Sequence, residues 1–450
     1  MINFFVTSKS NFILKKIKHN PSFKNISWLM TEKLLKLFLN LLVNIWIARY
    51  LGPENFGLLN YSIALVAIFT SLASLGIDGI VVRELVRNKT NTHILLGTAF
   101  FIKLFGGLSS VLLIYITCLF SSIKGESLTV TMIISLSFIL NSFLVIDLWY
   151  QKLVKSKYSV ISRVVGMIIF AVVNITFILL EKSTEWFAIS ILLETIITIL
   201  GLVYFYILQN NKISKWNFSW VISKQILTES WPLIISGMAV VVYMRIDQIM
   251  IGNISGNKEL AIYSVAVRIA ELWYAIPVII MSTMYPMLIK LKEFDKSKYS
   301  IRLQQIYDFM SLLGIVIAIP VTFFSNEIIR ILYGMDYLNA GPILSLYIWI
   351  GIFVSIGTTN TSYLNMNMLT KFSMLASVAG VITNISLNIL LIPLYGALGA
   401  TIASIISYWI QSHGVYLFIP SCKELVKIIN KALLIPFRLV IFIKRLNIKK

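Results

Sequence analysis

Apolar residues run through this chain in blocks about as long as a bilayer is thick, separated by short polar connections. Twelve blocks stand out, at 28–50, 58–77, 95–119, 129–149, 161–180, 186–208, 231–251, 261–287, 306–325, 343–360, 373–392 and 397–418. About 20 apolar residues suffice to cross the hydrocarbon core as a helix. The pattern therefore predicts an all-α integral membrane protein of about twelve transmembrane helices. Within the first block polarity is ordered as well. In WLMTEKLLKLFLNLLVNIWIARYLGPENFGLLNYS (28–62), Lys33, Lys36, Asn40 and Asn44 fall within roughly 80° of one another at 100° per residue. A spanning helix with such a stripe is expected to line a wet cavity.

The connections set orientation and domains. Lys and Arg alternate between the two sides of the predicted membrane as 29 against 5, and cytoplasmic connections carry the excess. Both termini are expected in the cytoplasm. The organisation this suggests is a basic N-tail (1–25), a first lobe (26–208), a basic linker (209–230), a second lobe (231–418) and a basic tail (419–450), the tail read as an amphipathic helix lying on anionic lipid. The lobes repeat one another. KYSVISRVVGMIIFAVVNI (157–175) aligns without gaps on KFSMLASVAGVITNISLNI (371–389) with seven identities in nineteen, and Tyr61-Ser62 matches Tyr263-Ser264. Six crossings return the chain to its starting side, so the halves are expected as parallel six-helix repeats around a central cavity.

Composition sharpens this picture. Of 450 residues, 58% are hydrophobic and 13% charged, against about 25% charged in soluble domains; mean hydropathy is +0.85. The net charge of +20 lies in short connections, which argues against nucleic acid as a partner. Cys118 and Cys422 suggest no disulfide framework, and His19, His93 and His413 no metal site.

The candidate chemistry lies in charges deep within the spans, each costing on the order of 3 kcal/mol unless paired or hydrated. Lys103 and Glu194 each fall about eight residues into a span, near mid-membrane at about 1.5 Å per residue. Arg268 and Glu271 are placed i, i+3, within reach of each other, whereas Arg245 and Asp247 point to nearly opposite faces. Two readings stand. Lys103 with Glu194, and Arg268 with Glu271, are internal ties; or Arg245 and Arg268, with Lys103, Lys33 and Lys36, receive an anion, because guanidinium forks suit phosphate oxygens. Glu194, Asp247 and Glu271 are then coupling or ion-pair residues. Lys33 and Lys36 sit near the cytoplasmic end, where they are able to snorkel, and Glu32, Asp147 and Asp308 lie at span ends. Pro277, Pro286 and Pro320 are candidate kinks. No cofactor is expected, and no paired-carboxylate loop suggests an enzyme.

With these residues in view, the chain resembles the polysaccharide-biosynthesis flippases, the O-antigen and capsule repeat-unit transporters of the multidrug/oligosaccharidyl-lipid/polysaccharide exporter superfamily. The resemblance spans about 25–418 and rests on ARYLGPENFGLLNYS (48–62), RELVRN (83–88), YQKLVKSKY (150–158) and YMRIDQIMIG (243–252). It implies a V-shaped cavity and alternating access in a bacterial cytoplasmic membrane. The implied substrate is an undecaprenyl-diphosphate-linked oligosaccharide, flipped from inner to outer leaflet for O-antigen, capsule or exopolysaccharide assembly. It also implies membrane lipids, a polysaccharide polymerase and chain-length proteins as partners, and coupling to H+, Na+ or the membrane potential. A drug/cation antiporter, a lipid II flippase, and a polymerase or lipid-linked glycosyltransferase are the alternatives.

Overall fold

The computed structural model describes residues 21–87, 91–121, 123–436 and 438; the N-tail to residue 20 and the tail beyond 438 lie outside the described residues. The elements used below are α1 (Pro21–Ile68), α2 (Asp78–Arg87), α3 (Thr92–Phe120), α4 (Glu126–Lys152), α5 (Lys157–Leu179), α6 (Thr184–Leu208), α7 (Trp220–Ser255), α8 (Asn257–Glu271), α9 (Ala275–Phe294), α10 (Lys296–Tyr333), α11 (Ala340–Met366), α12 (Thr370–Trp409) and α13 (Lys423–Leu433). Among the described residues ten helical stretches are long and apolar enough to cross a membrane, and the protein is a multi-pass membrane protein of all-helical fold. Two of the ten are each broken at a glycine, α1 at Gly52 and α12 at Gly396. The predicted blocks 28–50 and 58–77 fall on either side of the first break, and 373–392 and 397–418 on either side of the second.

Gly52 adopts φ 70°, a left-handed conformation that costs L side chains energy, and Pro53 then starts the next leg with its φ already suited to a helix. After Gly396, the Ala397 amide donates to the Glu259 carboxylate at 3.2 Å, which satisfies one of the donors a helix start leaves open. Of the three candidate kink prolines only Pro277 accompanies a break: the chain leaves helix at Leu272–Tyr274, where the proline ring opposes the carbonyl four residues earlier. Pro286 and Pro320 sit inside continuous helices.

The chain divides into two compact units. One comprises the chain up to Leu51 with Ser62–Val241; the other comprises Gly52–Tyr61 with the chain from Val242 onward. This differs from the expected boundary at 209–230. The linker is shorter than predicted, because WVISKQILTES (220–230) is already helical and Ile226 is buried in the first unit's core beside Leu96, Val81 and Leu202. An alternating polar and apolar helical turn looked like a loop only because it lacks the continuous apolarity of a span.

In the first unit, Arg163 of α5 grips Glu32 of α1 through two hydrogen bonds at 2.6 and 2.9 Å and reaches Asp147 of α4 at 3.3 Å. Glu32 is buried, so charges expected to be ordinary span-end residues join three helices. In the second unit, Leu303, Tyr307, Ile356, Leu364 and Tyr416 form a core that also takes in Leu425, Ile429 and Ala432 of α13. The tail helix is amphipathic as expected, but its apolar face is buried on protein rather than laid on lipid. Gln304 donates to the Ile428 carbonyl at 3.2 Å, and Arg438 pairs with Asp308 at 2.9 Å.

Candidate functional site

The second unit concentrates ionisable side chains inside its spans. Asp247 of α7 is buried and accepts hydrogen bonds from three helices: Tyr263 Oη of α8 at 2.8 Å, Asn388 Nδ2 of α12 at 2.6 Å, and Ser404 Oγ of the second leg of α12 at 2.6 Å. Asn388 also donates to Asn384 at 3.1 Å, and Asn384 to Ser407 at 3.4 Å. A carboxylate placed in hydrocarbon survives only with such compensation. The Asn388 Oδ1 is itself buried and has no partner among the described residues, so the network keeps one acceptor in reserve beside the carboxylate.

The repeat explains how this cluster was built. At the same offset of 214, Asn174 and Ser190 in the first unit correspond to Asn388 and Ser404. There the two groups bond each other directly, Ser190 Oγ to Asn174 Oδ1 at 3.0 Å, and both are fully buried. In the second unit the same pair instead reaches onto Asp247. At the offset of 202 that relates Tyr61 to Tyr263, the first unit has the apolar Ile45 in that place. The scaffold is duplicated; the charge is not.

Arg245, one turn from Gln248, meets its Oε1 at 3.5 Å. Arg268 of α8 donates from Nη2 to Asn60 Oδ1 at 3.3 Å, and Asn60 in turn donates to the Phe56 carbonyl at 2.7 Å. Glu271 lies within electrostatic range of both arginines, but the i, i+3 spacing does not close into an ion pair, and among the described residues the Arg268 guanidinium has Asn60 as its hydrogen-bond partner. Arg268 therefore keeps most of its five donors unspent. Sequence reasoning identified Arg245, Asp247, Arg268 and Glu271 as deep charges and missed Asn60, Tyr263, Asn384, Asn388 and Ser404. The asparagine shared by the two repeats was the available signal.

In the first unit the predicted residues do not form one constellation. Lys103 is buried and pairs with Asp78 at the start of α2, 2.6 Å away, rather than with Glu194. The apolar stretch between α1 and α3 places Asp78 against the third helix, which the sequence spacing concealed. Glu194 is half-buried and lies within electrostatic range of Lys36, while Lys33 and Lys36 are both exposed. The stripe extends to Asn44, whose amide donates to the Asn40 carbonyl at 2.7 Å.

Comparison with known sequences resolves the class. The family model for polysaccharide biosynthesis protein matches residues 22–292, and a second, MatE, matches 232–390. This chain belongs to the polysaccharide biosynthesis protein family. Among relatives of this family member, a Shigella flexneri protein named as an O-antigen transporter is 22% identical over 372 residues, covering 80% of the chain and 88% of the relative. A Haloferax volcanii protein named as the flippase AglR is 29% identical over 176 residues, covering 38% of the chain and 36% of that relative. Two solved structures share the fold. One is an inward-facing MATE multidrug resistance transporter of the MOP superfamily (TM-score 0.70, 14% identity, 88% of this chain and 96% of that one). The other is the lipid II flippase MurJ in an inward closed conformation (TM-score 0.68, 18% identity, 93% of each chain).

Proposed function

We propose that this family member flips undecaprenyl-diphosphate-linked oligosaccharide repeat units across the bacterial cytoplasmic membrane by alternating access, for assembly of O-antigen or another surface polysaccharide. The observation that carries this reading is Arg268: a guanidinium inside a spanning helix that spends one donor on Asn60 and, among the described residues, pairs with no carboxylate. Such a group costs several kcal/mol to place in the membrane, and a substrate phosphate would offset that cost with bidentate, charge-assisted bonds. Arg245, and Lys33, Lys36 and Lys103 where the first unit presents them, serve the same anion in this reading. Lys103 would have to leave Asp78 to do so. The names of the relatives support a carrier rather than an enzyme, and membrane-interior arginines disfavour a cationic drug as cargo.

Asp247 is the coupling group in this proposal, by binding a proton or Na+ beside the reserve acceptor of Asn388, with Glu194 and Glu271 as further coupling candidates. The excess of Lys and Arg on one set of connections supports cytoplasmic termini, and a polymerase and chain-length proteins would act on the product. The decisive test is deletion of the gene followed by assay of lipid-linked repeat units in sealed cells and in inverted vesicles. The units should accumulate on the cytoplasmic leaflet. Normal exposure on the outer leaflet would overturn the assignment.

A further inference from the structure

A cavity of 580 Å³ opens within the second unit where α9 passes into α10, roofed by the tail helix α13 and walled by the end of α11. Its lining is unlike that of the apolar grooves elsewhere on the molecule. Lys292, Lys296 and Lys427 face it against a single carboxylate, Glu424. Lys292 is directed by a hydrogen bond to the Met366 carbonyl. Among the described residues, Lys296, Lys427 and Glu424 make no ion pair. Tyr299 lines the same space with its ring, its hydroxyl being buried beside Asn367, whose amide also donates to the Tyr363 carbonyl at 2.8 Å.

We infer that this cavity is a binding site for a phosphate-bearing group, separate from the arginines of the spans. Three ammonium groups around one space match an anion with several acceptor oxygens, and Lys serves such anions as a point charge. The volume falls within the roughly 300–1,000 Å³ of small-ligand sites, so it admits a phosphodiester with part of its alcohol. The site is preformed, because its roof is fixed by burial of Leu425 and Ile429 and by the Arg438–Asp308 pair. Its walls come from 288–304, 361–372 and the tail, connections on the Lys/Arg-rich side. Phe294 and Ile301 stand exposed beside it, as expected of residues at the depth of lipid headgroups. The phosphate comes either from such a headgroup or from a soluble phosphorylated metabolite.

Purified full-length protein decides between them. Its thermal unfolding would be followed in neutral detergent with inorganic pyrophosphate, and its lipid retention by native mass spectrometry after passage through phosphatidylcholine vesicles with or without phosphatidylglycerol. The expected result is selective retention of phosphatidylglycerol or stabilisation by pyrophosphate. In Lys296→Gln/Lys427→Gln either effect should weaken at least tenfold, with the unliganded melting temperature unchanged because both side chains are exposed. Retention without a pyrophosphate effect assigns the site to a lipid headgroup; a pyrophosphate effect alone assigns it to a soluble ligand. Equal retention of phosphatidylcholine, no effect of either probe, or undiminished binding in the double variant would overturn the site. Transport is not read in this assay, so its outcome is independent of the flippase proposal.

Discussion

Asp247 is the residue at which the two halves of this protein part company. Its three donors would satisfy an ionised carboxylate, and removing one buried partner commonly costs about 1–3 kcal/mol. Asp247→Asn keeps the shape but sets an amide donor against donors already facing that position. The variant should reach the membrane, melt at a lower temperature, and lose transport; wild-type transport in vesicles, unchanged in its dependence on pH and Na+, would remove the coupling role. Asn174→Ala, which breaks the equivalent first-unit bond to Ser190, should lower stability comparably while sparing transport per folded molecule. Arg268→Ala should abolish surface-polysaccharide assembly at normal protein levels. Arg268→Lys should restore only part, since an ammonium keeps the charge and loses the fork; quantitative polysaccharide blotting separates these outcomes. At this scale the sequence was informative about charges and silent about their partners. Asp247 could be singled out because a carboxylate in an apolar run is costly. Its partners Asn388 and Ser404 lie 141 and 157 residues away and are neutral; the repeat marks them by their match to Asn174 and Ser190, but not as partners of a carboxylate.

The helices follow closely from the apolar blocks, and their breaks from Gly52, Gly396 and Pro277, where local backbone chemistry leaves little choice. What the blocks could not show was that the first turns of α7 are helical, and that the amphipathic face of α13 packs on protein. Elements also meet at glycines whose need is visible only in three dimensions. A Cβ on Gly57 would lie 1.9 Å from the Asn257 backbone carbonyl, whereas a Cβ on Gly52 would meet nothing. Gly57→Ala must therefore shift backbone, at or above the upper end of the about 1–3 kcal/mol that overpacking costs, while Gly52→Ala displaces nothing and faces only a φ/ψ pair (70°, 173°) nearly reserved for glycine, worth about 1–3 kcal/mol. Melting curves of the purified variants should rank Gly57→Ala below Gly52→Ala. The reverse order would mean that the helix start at Asn257 yields freely.

For the whole molecule, duplication was legible in the sequence and the exchange of segments was not. The repeated stretches 157–175 and 371–389 occupy corresponding helices, α5 and the first leg of α12, in separate units. The boundaries between units, by contrast, fall inside α1 and α7, since helices that are continuous in sequence are free to divide their contacts. Cutting the chain at 212, in the predicted linker, should accordingly yield fragments 1–212 and 213–450 that are each unstable alone and recover when co-expressed. Independent stability of either fragment, by protease resistance in membranes, would contradict the division.

That division also has a consequence in time. Asn60, Tyr61 and Gly57 leave the ribosome early, yet their partners Arg268, Asn253 and Asn257 follow about 200 residues later. At synthesis rates of roughly 5–20 residues per second, the amide of Asn60 and its neighbours wait roughly 10–40 s for the helix they belong with. The nascent chain must be held in an unfinished state for that interval, and whatever holds it has the LGPENFG turn as its ward.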